Sequence, residues 1–551
     1  MKLTIRALIE KAYNSTASAE GWAQANDIVF DVTVPKEEKH GDFSCNAAMI
    51  LASKLKTNPR AIAVKLAAKL EEEAIFSSVK VAGAGFINMT LQPLEWVSFL
   101  GDIISEKEKF GSVDIGKGRK VMIEFVSANP TGPLHIGHGR GAAVGDALAR
   151  ILEKAGYDTH KEYYINNVGL QMENLGRSTI NRAKELLGKP FDEPDYKGEY
   201  IKEIAKEYIA CKGEDVLELP PAEAVLSASE FTADSILKGI RRDLDDFDVK
   251  FDKWFSEESL HLAGAVETTI EKLQADGHIY EKDGALWLST ESAGDEKDRV
   301  VRRANGITTY LAADIAYHKD KFDRGFETVV DVWGADHHGY IPRMKATVSA
   351  LGVDPDRLVV RLVQLVSLKR GGKTVAMTTR GGVFTTLREI IDEVGVDVTR
   401  YFFLMRSADS HLDFDVDLAK KHSDENPVFY IQYAHARCAN IFVTASEKGV
   451  KNISFDELDK SLLNNKDEVR LIRKLSQLPG VVASCAEGFQ PHPVTQYLTE
   501  TAAAFHYFYR HNRVVTDDAP LTQARLKLVE ATMITLKNGL ALLGISAPTR
   551  M

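Results

Sequence analysis

The sequence predicts an α/β protein: a doubly wound parallel sheet in a central domain, an α/β domain before it and an all-helical domain after it. Two observations favour the parallel sheet. Residues 121–126 form an apolar run typical of a buried strand, and a helical pattern over 139–155 separates it from a second strand-like run at 161–166. This βαβ order indicates parallel strands with a ligand at their carboxyl ends. A third observation, helical periodicity with few turn signals from residue 424 onward, predicts the helical domain.

Residues 1–112 are predicted to form the N-terminal α/β domain. Asn58 is a favourable N-cap and Pro59 a favourable first residue for an Ala-rich helix over 61–70, whose apolar side chains recur at helical spacing. Residues 79–91 read as two short strands around a glycine turn. The run 115–120 carries two glycines and three charges, so it predicts a linker to the next domain.

The central domain is predicted to span residues 113–423, with an insertion over about 170–285 that is charged and largely helical. The helix over 139–155 has an apolar face and is expected to stop at Gly156, a typical C′ residue. The sheet pattern returns at 285–288 and again at 329–334. The helical domain is then expected to cover residues 424–551.

Composition excludes several classes of protein. The chain has 551 residues, 44% of them hydrophobic and 27% charged, and no apolar run approaches the roughly 20 residues that span a bilayer. The first residues are amphipathic and carry Arg6 and Glu10, unlike a secretory signal, so we expect no membrane association and a cytoplasmic location. The four cysteines lack metal-binding spacing, and we expect free, buried thiols and no protein-bound metal.

The strongest local signal is the loop that follows the first central strand. Its residues 129–138 end in a His-x-Gly-His pattern from His135 to His138, where a helix starts. The first turn of a helix has free N–H groups and a positive dipole end that favour phosphate, and Gly137 lets a ligand approach the backbone. The pattern therefore predicts a loop that binds ATP.

Two other interpretations of this loop fit less well. A dinucleotide-binding fold needs a tight turn directly after the strand and an acidic residue about 20 positions later, whereas here about a dozen loop residues intervene and the second strand ends at 165–167 without an acid. A metal site formed by His135 and His138 with His337 and His338 lacks the glutamate and the i, i+4 spacing of hydrolytic zinc sites. Purely structural histidines are a third interpretation.

The loop and several distant segments resemble one enzyme family. Residues 135–138 resemble the HIGH signature of class I aminoacyl-tRNA synthetases. Residues 124–130, 310–314, 333–338 and 426–437 are similar to arginyl-tRNA synthetases, and the resemblance extends to the ending at 543–551. It implies a Rossmann-like, HIGH-type catalytic domain between an N-terminal domain that contacts the tRNA D-loop and a helical anticodon-binding domain.

The resemblance also implies a set of functional residues. The catalytic residues it implies are His135, His138 and Arg380. ATP would contact Pro130, Thr131, Gly132, Pro133, Leu134, His135, Ile136, Gly137, His138, Gly139, Arg140, Asp336 and Met377. Arginine would contact Glu124, Ser127, Asn129, Tyr310, Asp314 and His338. The tRNA would contact Asn88, Tyr433, Arg437, Tyr509, Arg513 and Met551.

The implied arginine site has a physical rationale. A guanidinium is a rigid fork of hydrogen-bond donors that carboxylates satisfy well. Tyr310 and Asp314 are four residues apart, so both lie on one face if that segment is helical. Such a pocket rejects apolar amino acids, because they would leave its acids unpaired.

The second class I signature, KMSKS, is degraded in this chain. It aligns with residues 376–380, where both lysines are missing and only Met377 and Arg380 match. Lys369, Arg370, Lys373 and Arg380 are the candidates for the cation that neutralises pyrophosphate, and some of them could instead only solvate a loop.

As the resemblance implies it, the enzyme activates L-arginine with ATP, which enters as its Mg²⁺ complex, and transfers the arginyl group to tRNA(Arg). We expect a monomer. The net charge of −10 disfavours nucleic-acid binding over the whole surface, but residues 424–551 hold 14 basic and 13 acidic side chains and permit a local site. The alternatives are a binding module that kept the fold but lost activation, and another class I synthetase such as the cysteinyl or methionyl enzyme, which the absence of a CxxC zinc pattern disfavours.

Overall fold

The computed structural model describes residues 2–22, 30–35, 37–375 and 385–551. The α-helices within them are α1 (Lys2–Glu20), α2 (Ala47–Leu55), α3 (Pro59–Glu71), α4 (Pro93–Glu106), α5 (Ile136–Lys154), α6 (Leu170–Leu186), α7 (Glu199–Lys212), α8 (Pro221–Asp246), α9 (Glu257–Leu262), α10 (Ala265–Ala275), α11 (Tyr310–Asp323), α12 (Ile341–Ala350), α13 (Leu387–Val394), α14 (Val396–Leu404), α15 (Val416–Ala419), α16 (Pro427–Glu447), α17 (Lys466–Leu475), α18 (Leu478–Gly488), α19 (Pro493–His511) and α20 (Ala519–Leu542). The strands are β1 (Val32–Thr33), β2 (Phe43–Cys45), β3 (Phe76–Ala82), β4 (Phe86–Leu91), β5 (Lys120–Glu124), β6 (Asp158–Ile165), β7 (Lys253–Ser256), β8 (Ile279–Lys282), β9 (Ala285–Leu288), β10 (Arg299–Arg302), β11 (Thr328–Gly334), β12 (Leu358–Val363), β13 (Val366–Arg370), β14 (Lys373–Thr374) and β15 (Leu412–Asp415).

The chain divides into two compact units. The smaller unit consists of Met1–Lys107, Ile441–Ser476 and Ala504–Thr532, and the larger unit of Glu108–Asn440, Gln477–Ala503 and Met533–Met551.

The smaller unit is built on an antiparallel sheet of order β1-β2-β4-β3. The predicted helix is α3, where the Asn58 side chain accepts a hydrogen bond from the Arg60 amide and Pro59 is the first residue, as the sequence indicates. The predicted pair of strands is β3 and β4. A buried carboxylate, Asp42, accepts the Leu91 amide at 2.8 Å and pairs with Arg473 of α17 at 2.9 Å, which holds the C-terminal helices of this unit to its sheet.

The larger unit is built on a five-stranded sheet of order β12-β11-β5-β6-β7, in which every neighbouring pair is parallel. The helix α5 connects β5 to β6, as the βαβ pattern predicts. It begins at Ile136, three residues before the predicted start, and Gly156 follows it with a φ of +86°. At Gly145 a Cβ atom would lie 2.2 Å from Phe125, so only glycine allows α5 to pack this closely on the exit of β5.

The segment predicted as a charged, helical insertion does contain α6, α7, α8, α9 and α10, but it also contains two strands, β7 and β8, that the sequence pattern does not predict. The short strand β7 pairs in parallel with β6 and forms the edge of the central sheet. The sheet signal at 285–288 is β9, which belongs to a separate antiparallel sheet of order β10-β9-β8. The signal at 329–334 is β11, a central strand of the parallel sheet.

Two predictions from composition can be compared with the structure. All four cysteines are free, but Cys211 is exposed whereas the other three are buried, so the expectation of four buried thiols is wrong for Cys211. None of the described helices is both long enough and apolar enough to cross a bilayer.

Candidate active site

The exit of β5 makes a strained turn that fixes two predicted site residues. Val126 and Ser127 have φ angles of +68° and +40°, and the Ser127 amide donates to the Phe125 carbonyl at 2.9 Å. A positive φ at residues other than glycine costs free energy and is found mainly where the surrounding structure holds it in place. Here the Ser127 hydroxyl donates to Glu124 Oε1 at 2.9 Å and accepts the Tyr164 amide at 3.1 Å, so the turn ties β5 to β6.

The two histidines of the loop form a capping box at the start of α5. Their rings stack with centroids 3.6 Å apart. Nδ1 of His135 accepts the amides of Gly137 and His138 at 3.1 and 3.3 Å, and Nδ1 of His138 accepts the amide of His135 at 3.3 Å. Because an Nδ1 atom that accepts an N–H bond carries no proton, each neutral ring holds its proton on Nε2.

Both imidazoles are neutral at physiological pH. Burial lowers the pKa of His135, and burial together with the neighbouring His135 ring lowers the pKa of His138 to about 3. The His138 ring can therefore donate a hydrogen bond from Nε2 to a phosphate oxygen, but it brings no positive charge to the phosphate.

The expectation of free amides at the start of α5 is not met. The amides of Gly137 and His138 are used by the His135 ring, the Ile136 amide donates to Thr385, and the Gly139 amide donates to the His135 carbonyl. The side chains of Leu134 and Ile136 are buried in the core, as is the whole of Pro130. Imidazole donors, and not the backbone, are thus the groups that α5 offers to phosphate in this conformation.

Arg140 does not face the ligand side of the loop. Its guanidinium is fully buried and donates to the carbonyls of Gln364, Ser410 and Ser407 at 2.8 to 2.9 Å. Through these bonds the Arg140 side chain holds the segment after β12 and the loop before β15 against α5, and the contact of this residue with ATP stays a prediction.

Acidic side chains gather at the carboxyl end of the central sheet. Asp314, on α11, accepts a hydrogen bond from the Tyr340 hydroxyl. Glu257 is buried at the start of α9, directly after β7, and interacts with Tyr164 and His261. Burial raises the pKa of Asp314, and burial and the negative charge of Asp314 both raise the pKa of Glu257. Two carboxylates with raised pKa values form a site that a cation would stabilise.

Glu124 already has a cationic partner. Lys321 Nζ lies 2.5 Å from Glu124 Oε2 and 2.8 Å from Asp331 Oδ1, and all three side chains are buried. Burial raises the pKa of Glu124 although Lys321 opposes the shift, whereas Lys321 and His318 outweigh burial at Asp331 and lower its pKa to about 2. The negative charge that Glu124 can offer a substrate is therefore largely balanced by Lys321.

Comparisons with known proteins identify the family of the chain. Family models match residues 3–91 (arginyl tRNA synthetase N terminal domain), 100–402 (tRNA synthetases class I (R), catalytic domain) and 431–551 (DALR anticodon binding domain). The chain is 50% identical over 556 residues to an arginine–tRNA ligase of Geobacter sp. (strain M21), with all of both chains covered. The chain belongs to the arginyl-tRNA synthetase family.

Solved structures show the same fold. A putative arginyl-tRNA synthetase from Campylobacter jejuni is 38% identical, with a TM-score of 0.76 over 84% of this chain and all of that one. An arginyl-tRNA synthetase from Thermus thermophilus has a TM-score of 0.78 and 23% identity over the whole of both chains. The full-length identity of 50% to an arginine–tRNA ligase, together with the matched catalytic and anticodon-binding domains, supports arginyl-tRNA synthetase activity over a different class I synthetase or a fold without activation.

Other residues predicted for the synthetase lie on the surface. Tyr310 is 60% exposed at the start of α11, one turn before Asp314, as the spacing predicts. Asp336 and His338 are exposed in the short 3-10 helix after β11. Met377 and Arg380 lie outside the described residues. Two of the other candidates for the cation that neutralises pyrophosphate have acidic partners. Lys369 pairs with Asp413 at 2.7 Å, and Arg370 pairs with Glu393 at 2.5 Å.

The residues predicted to contact tRNA occur in both units of the synthetase. In the smaller unit the side chain of Asn88 accepts a hydrogen bond from Ser44 at 2.7 Å, and Tyr509 and Arg513 are exposed. In the larger unit Arg437 donates to the Tyr433 hydroxyl at 2.6 Å, with its guanidinium 4.4 Å from the centre of the Tyr433 ring. Met551 is 53% exposed.

Sequence reasoning missed the polar residues behind the site. Five polar residues contact predicted site residues or act on them electrostatically: Tyr340, Glu257, His318, Lys321 and Asp331. The sequence does contain a signal for His318 and Lys321. They follow Asp314 at helical spacing, so the three residues share one face of α11. Asp331 also has a sequence signal, because it is a charged residue within the apolar run 329–332. The partners of Tyr340 and Glu257 depend on tertiary contacts that the sequence does not reveal.

Proposed function

We propose that this enzyme binds the guanidinium of L-arginine at the carboxylates on α11 and α9, and the phosphates of ATP at the loop that precedes α5. Asp314 and Glu257 supply negative charge to the guanidinium. Glu124, paired with Lys321, is a further polar side chain of the same pocket. Ser127, Asn129, Tyr310 and His338 are proposed to contact the remainder of the substrate. The observation that carries this assignment is the placement of Asp314 and Glu257 on two helices that pack together at the carboxyl end of the central sheet. Burial raises the pKa of both carboxyl groups there, and a bound cation would relieve that effect.

The chemistry needs no protein nucleophile. A carboxylate oxygen of arginine forms a bond to the α-phosphorus of ATP, the bond from that phosphorus to the bridging oxygen breaks, and pyrophosphate leaves. A hydroxyl oxygen of the terminal adenosine of tRNA(Arg) then forms an ester bond to the carbonyl carbon of arginyl-adenylate, the bond from that carbon to the phosphate oxygen breaks, and AMP and the hydroxyl proton leave. We assign to His138, and with it His135, the role of neutral hydrogen-bond donor to phosphate oxygens as negative charge shifts in the transition state.

Mg²⁺ is proposed to enter with ATP as part of the substrate. No group of three or more His, Cys, Asp or Glu side chains in the described part of the chain is placed to hold a metal ion. Oxygen atoms of the phosphates are the ligands that Mg²⁺ prefers in nucleotide sites. Thr131, Gly132, Pro133, Gly139, Asp336 and Met377 complete the proposed ATP site.

The tRNA is proposed to contact both ends of the chain. Asn88 would meet the D-loop from the N-terminal segment 1–112, and Tyr433, Arg437, Tyr509, Arg513 and Met551 would surround the anticodon from segment 424–551. Aromatic and arginine side chains support this role, because unpaired bases stack on them. Segment 113–423, with its insertion, would perform catalysis, and we propose that a single copy of the chain suffices.

A comparison of arginine with citrulline tests the assignment of the pocket. Citrulline has the shape of arginine but a neutral urea group in place of the guanidinium. We expect kcat/KM for citrulline in tRNA charging to be lower by roughly 10⁴-fold, because the carboxylates would remain unpaired. Labelled lysine serves as a charged control of different shape. Comparable charging with arginine and citrulline would contradict the proposed pocket.

A further inference from the structure

The side chain of Tyr200, in the first turn of α7, touches the loop between β5 and α5. Its hydroxyl donates a hydrogen bond to the backbone carbonyl of Thr131 at 2.5 Å. The nearby Tyr196 interacts with the side chain of the same threonine. Burial raises the pKa of Tyr200 to about 12, with Tyr196 contributing, so the hydroxyl keeps its proton and remains a donor at neutral pH. The helices between β6 and β7 thus reach the loop proposed to bind ATP.

This part of the chain is itself held in place by α6. The buried hydroxyl of Ser178 accepts the Tyr196 amide at 3.1 Å, and Arg182 donates to the Lys197 carbonyl at 3.0 Å. The helix α6 packs in turn along α8. Tyr200 is therefore presented by packed helices with fixed backbone contacts, which is what a precisely placed supporting group requires.

Two glycines make the contact between Tyr200 and the loop possible. At Gly198 a Cβ atom would lie 2.3 Å from Cε1 of Tyr200, so any other residue would push the ring out of position. At Gly132 a Cβ atom would lie 3.0 Å from the Tyr200 hydroxyl oxygen. The two glycines thus leave space for the Tyr200 ring at Gly198 and for its hydroxyl at Gly132.

We propose that Tyr200 is a positioning residue for ATP. By holding the Thr131 carbonyl, its hydroxyl fixes the loop whose other end carries His135 and His138. The inference rests on the proposed phosphate-binding role of that loop. Reaction rates fall steeply when reacting groups are displaced by less than 1 Å, so a loop that loses this restraint positions phosphate less well. The guanidinium of arginine binds through α9 and α11, so arginine binding depends less on this restraint than ATP binding does.

The Tyr200→Phe enzyme tests the proposal, because it removes only the hydroxyl. In tRNA charging we expect kcat/KM for ATP to fall about 3- to 10-fold, the effect of one neutral hydrogen bond, while KM for arginine changes clearly less. Tyr208→Phe is the matched control, since Tyr208 lies on the same helix and donates to the Ser227 hydroxyl at 3.1 Å, away from the loop. Equal changes in the ATP and arginine parameters, or equal effects of the two variants, would overturn the proposal.

A second pair of variants gives an independent test. Gly132→Ala is expected to lower kcat/KM for ATP in the wild-type background and to do so less in the Tyr200→Phe background, where the nearest atom is gone. Strictly additive effects would overturn the proposed contact. His138→Ala distinguishes the proposed role of the loop in phosphate binding from the proposed role of Tyr200. If His138→Ala removes activity while Tyr200→Phe changes nothing, the role of the loop stands and that of Tyr200 fails. If neither variant changes activity, both fail.

Discussion

Lys321 and Glu124 form an ion pair in the interior of the larger unit, with Nζ and Oε2 2.5 Å apart. Asp331 accepts from the same Nζ and from Nε2 of His318 at 2.9 Å, while Nδ1 of His318 lies 2.8 Å from the Asp314 carbonyl. Lys321 is thus shared by two buried carboxylates, and the His318 ring bonds to one of them. This shared cation and these hydrogen bonds offset the cost of burying two carboxylates behind the arginine site.

The Lys321→Met variant should be strongly destabilised. It leaves Glu124 and Asp331 buried without the cation that they share, a change that costs about 3–5 kcal/mol in comparable buried pairs. Urea unfolding followed by tryptophan fluorescence measures the effect. Lys319→Met, on the same helix, removes only a partly exposed pair with Asp323 and should cost less than about 1 kcal/mol. A Lys321→Met enzyme as stable as Lys319→Met would show that the buried network contributes little.

Removal of the His138 ring should slow the chemical step. We expect His138→Ala to lower kcat by roughly 10²-fold or more, because a transition-state hydrogen-bond donor is lost. His138→Gln, whose amide can donate from a similar position, should retain more activity than His138→Ala. Single-turnover charging separates this effect from substrate binding, and near-normal turnover of His138→Ala would exclude the ring from the mechanism.

The depressed pKa of His138 predicts a pH dependence of stability. The folded-state pKa of about 3 lies below the ordinary value of 6.5, so the unfolded chain binds more protons between these values. Its contribution to stability is complete above pH 6.5 and is lost as pH falls toward 3. Thermal unfolding between pH 4 and 7 should therefore depend less on pH in His138→Gln than in the wild type. Identical slopes would indicate that the ring titrates normally.

Local patterns predicted the parts of the site that depend on neighbouring residues in the chain. The spacing of Tyr310 and Asp314 was enough to place them on one helix face, and the order of elements was enough to predict the parallel sheet. Strand β7 was not predicted, because four residues within a charged stretch are too few to show a strand periodicity. Arg140 resembled a phosphate ligand by position, but its burial depends on carbonyls more than 200 residues away. The contact of Tyr200 with Thr131 is likewise invisible without the fold.

Asp314→Asn should weaken the binding of arginine and leave ATP unaffected. The substitution removes a full negative charge from the guanidinium site while keeping the size of the side chain. We expect KM for arginine to rise by about 10- to 100-fold in tRNA charging, the effect of losing a charged hydrogen bond. Asp323→Asn, near the end of α11 and paired with Lys319, is the control. Equal increases in KM for arginine and ATP would assign Asp314 to the fold.

The missing lysines of the second signature lead to a comparison of two cations. Lys369 and Arg370 already pair with acidic side chains, which leaves Lys373 and Arg380 as candidates to neutralise pyrophosphate. Arg380→Ala should slow activation more than Lys373→Ala, because a guanidinium can bridge two phosphate oxygens. ATP–pyrophosphate exchange in the presence of tRNA measures this step. An unaffected Arg380→Ala enzyme would redirect the search to another cation.

The pair formed by Tyr433 and Arg437 should contribute to tRNA binding. The Tyr433 ring stacks on Phe429, with centroids 6.0 Å apart and planes 12° apart, and the Arg437 guanidinium lies 4.4 Å from the centre of the Tyr433 ring. An aromatic ring held in this way can stack on an unpaired base, an interaction that contributes about 1–3 kcal/mol. Tyr433→Ala should therefore raise KM for tRNA by roughly 10-fold and leave KM for ATP and arginine unchanged.

Conservative variants separate stacking from charge at this position. Tyr433→Phe keeps the ring and should retain most of the affinity, whereas Arg437→Ala should also reduce the dependence of tRNA binding on salt, because one cation near phosphate is lost. Val443→Ala, at an exposed position of the same helix, controls for changes in α16 itself. If Tyr433→Ala and Arg437→Ala both charge tRNA with wild-type KM, these side chains stabilise α16 and the tRNA is recognised elsewhere.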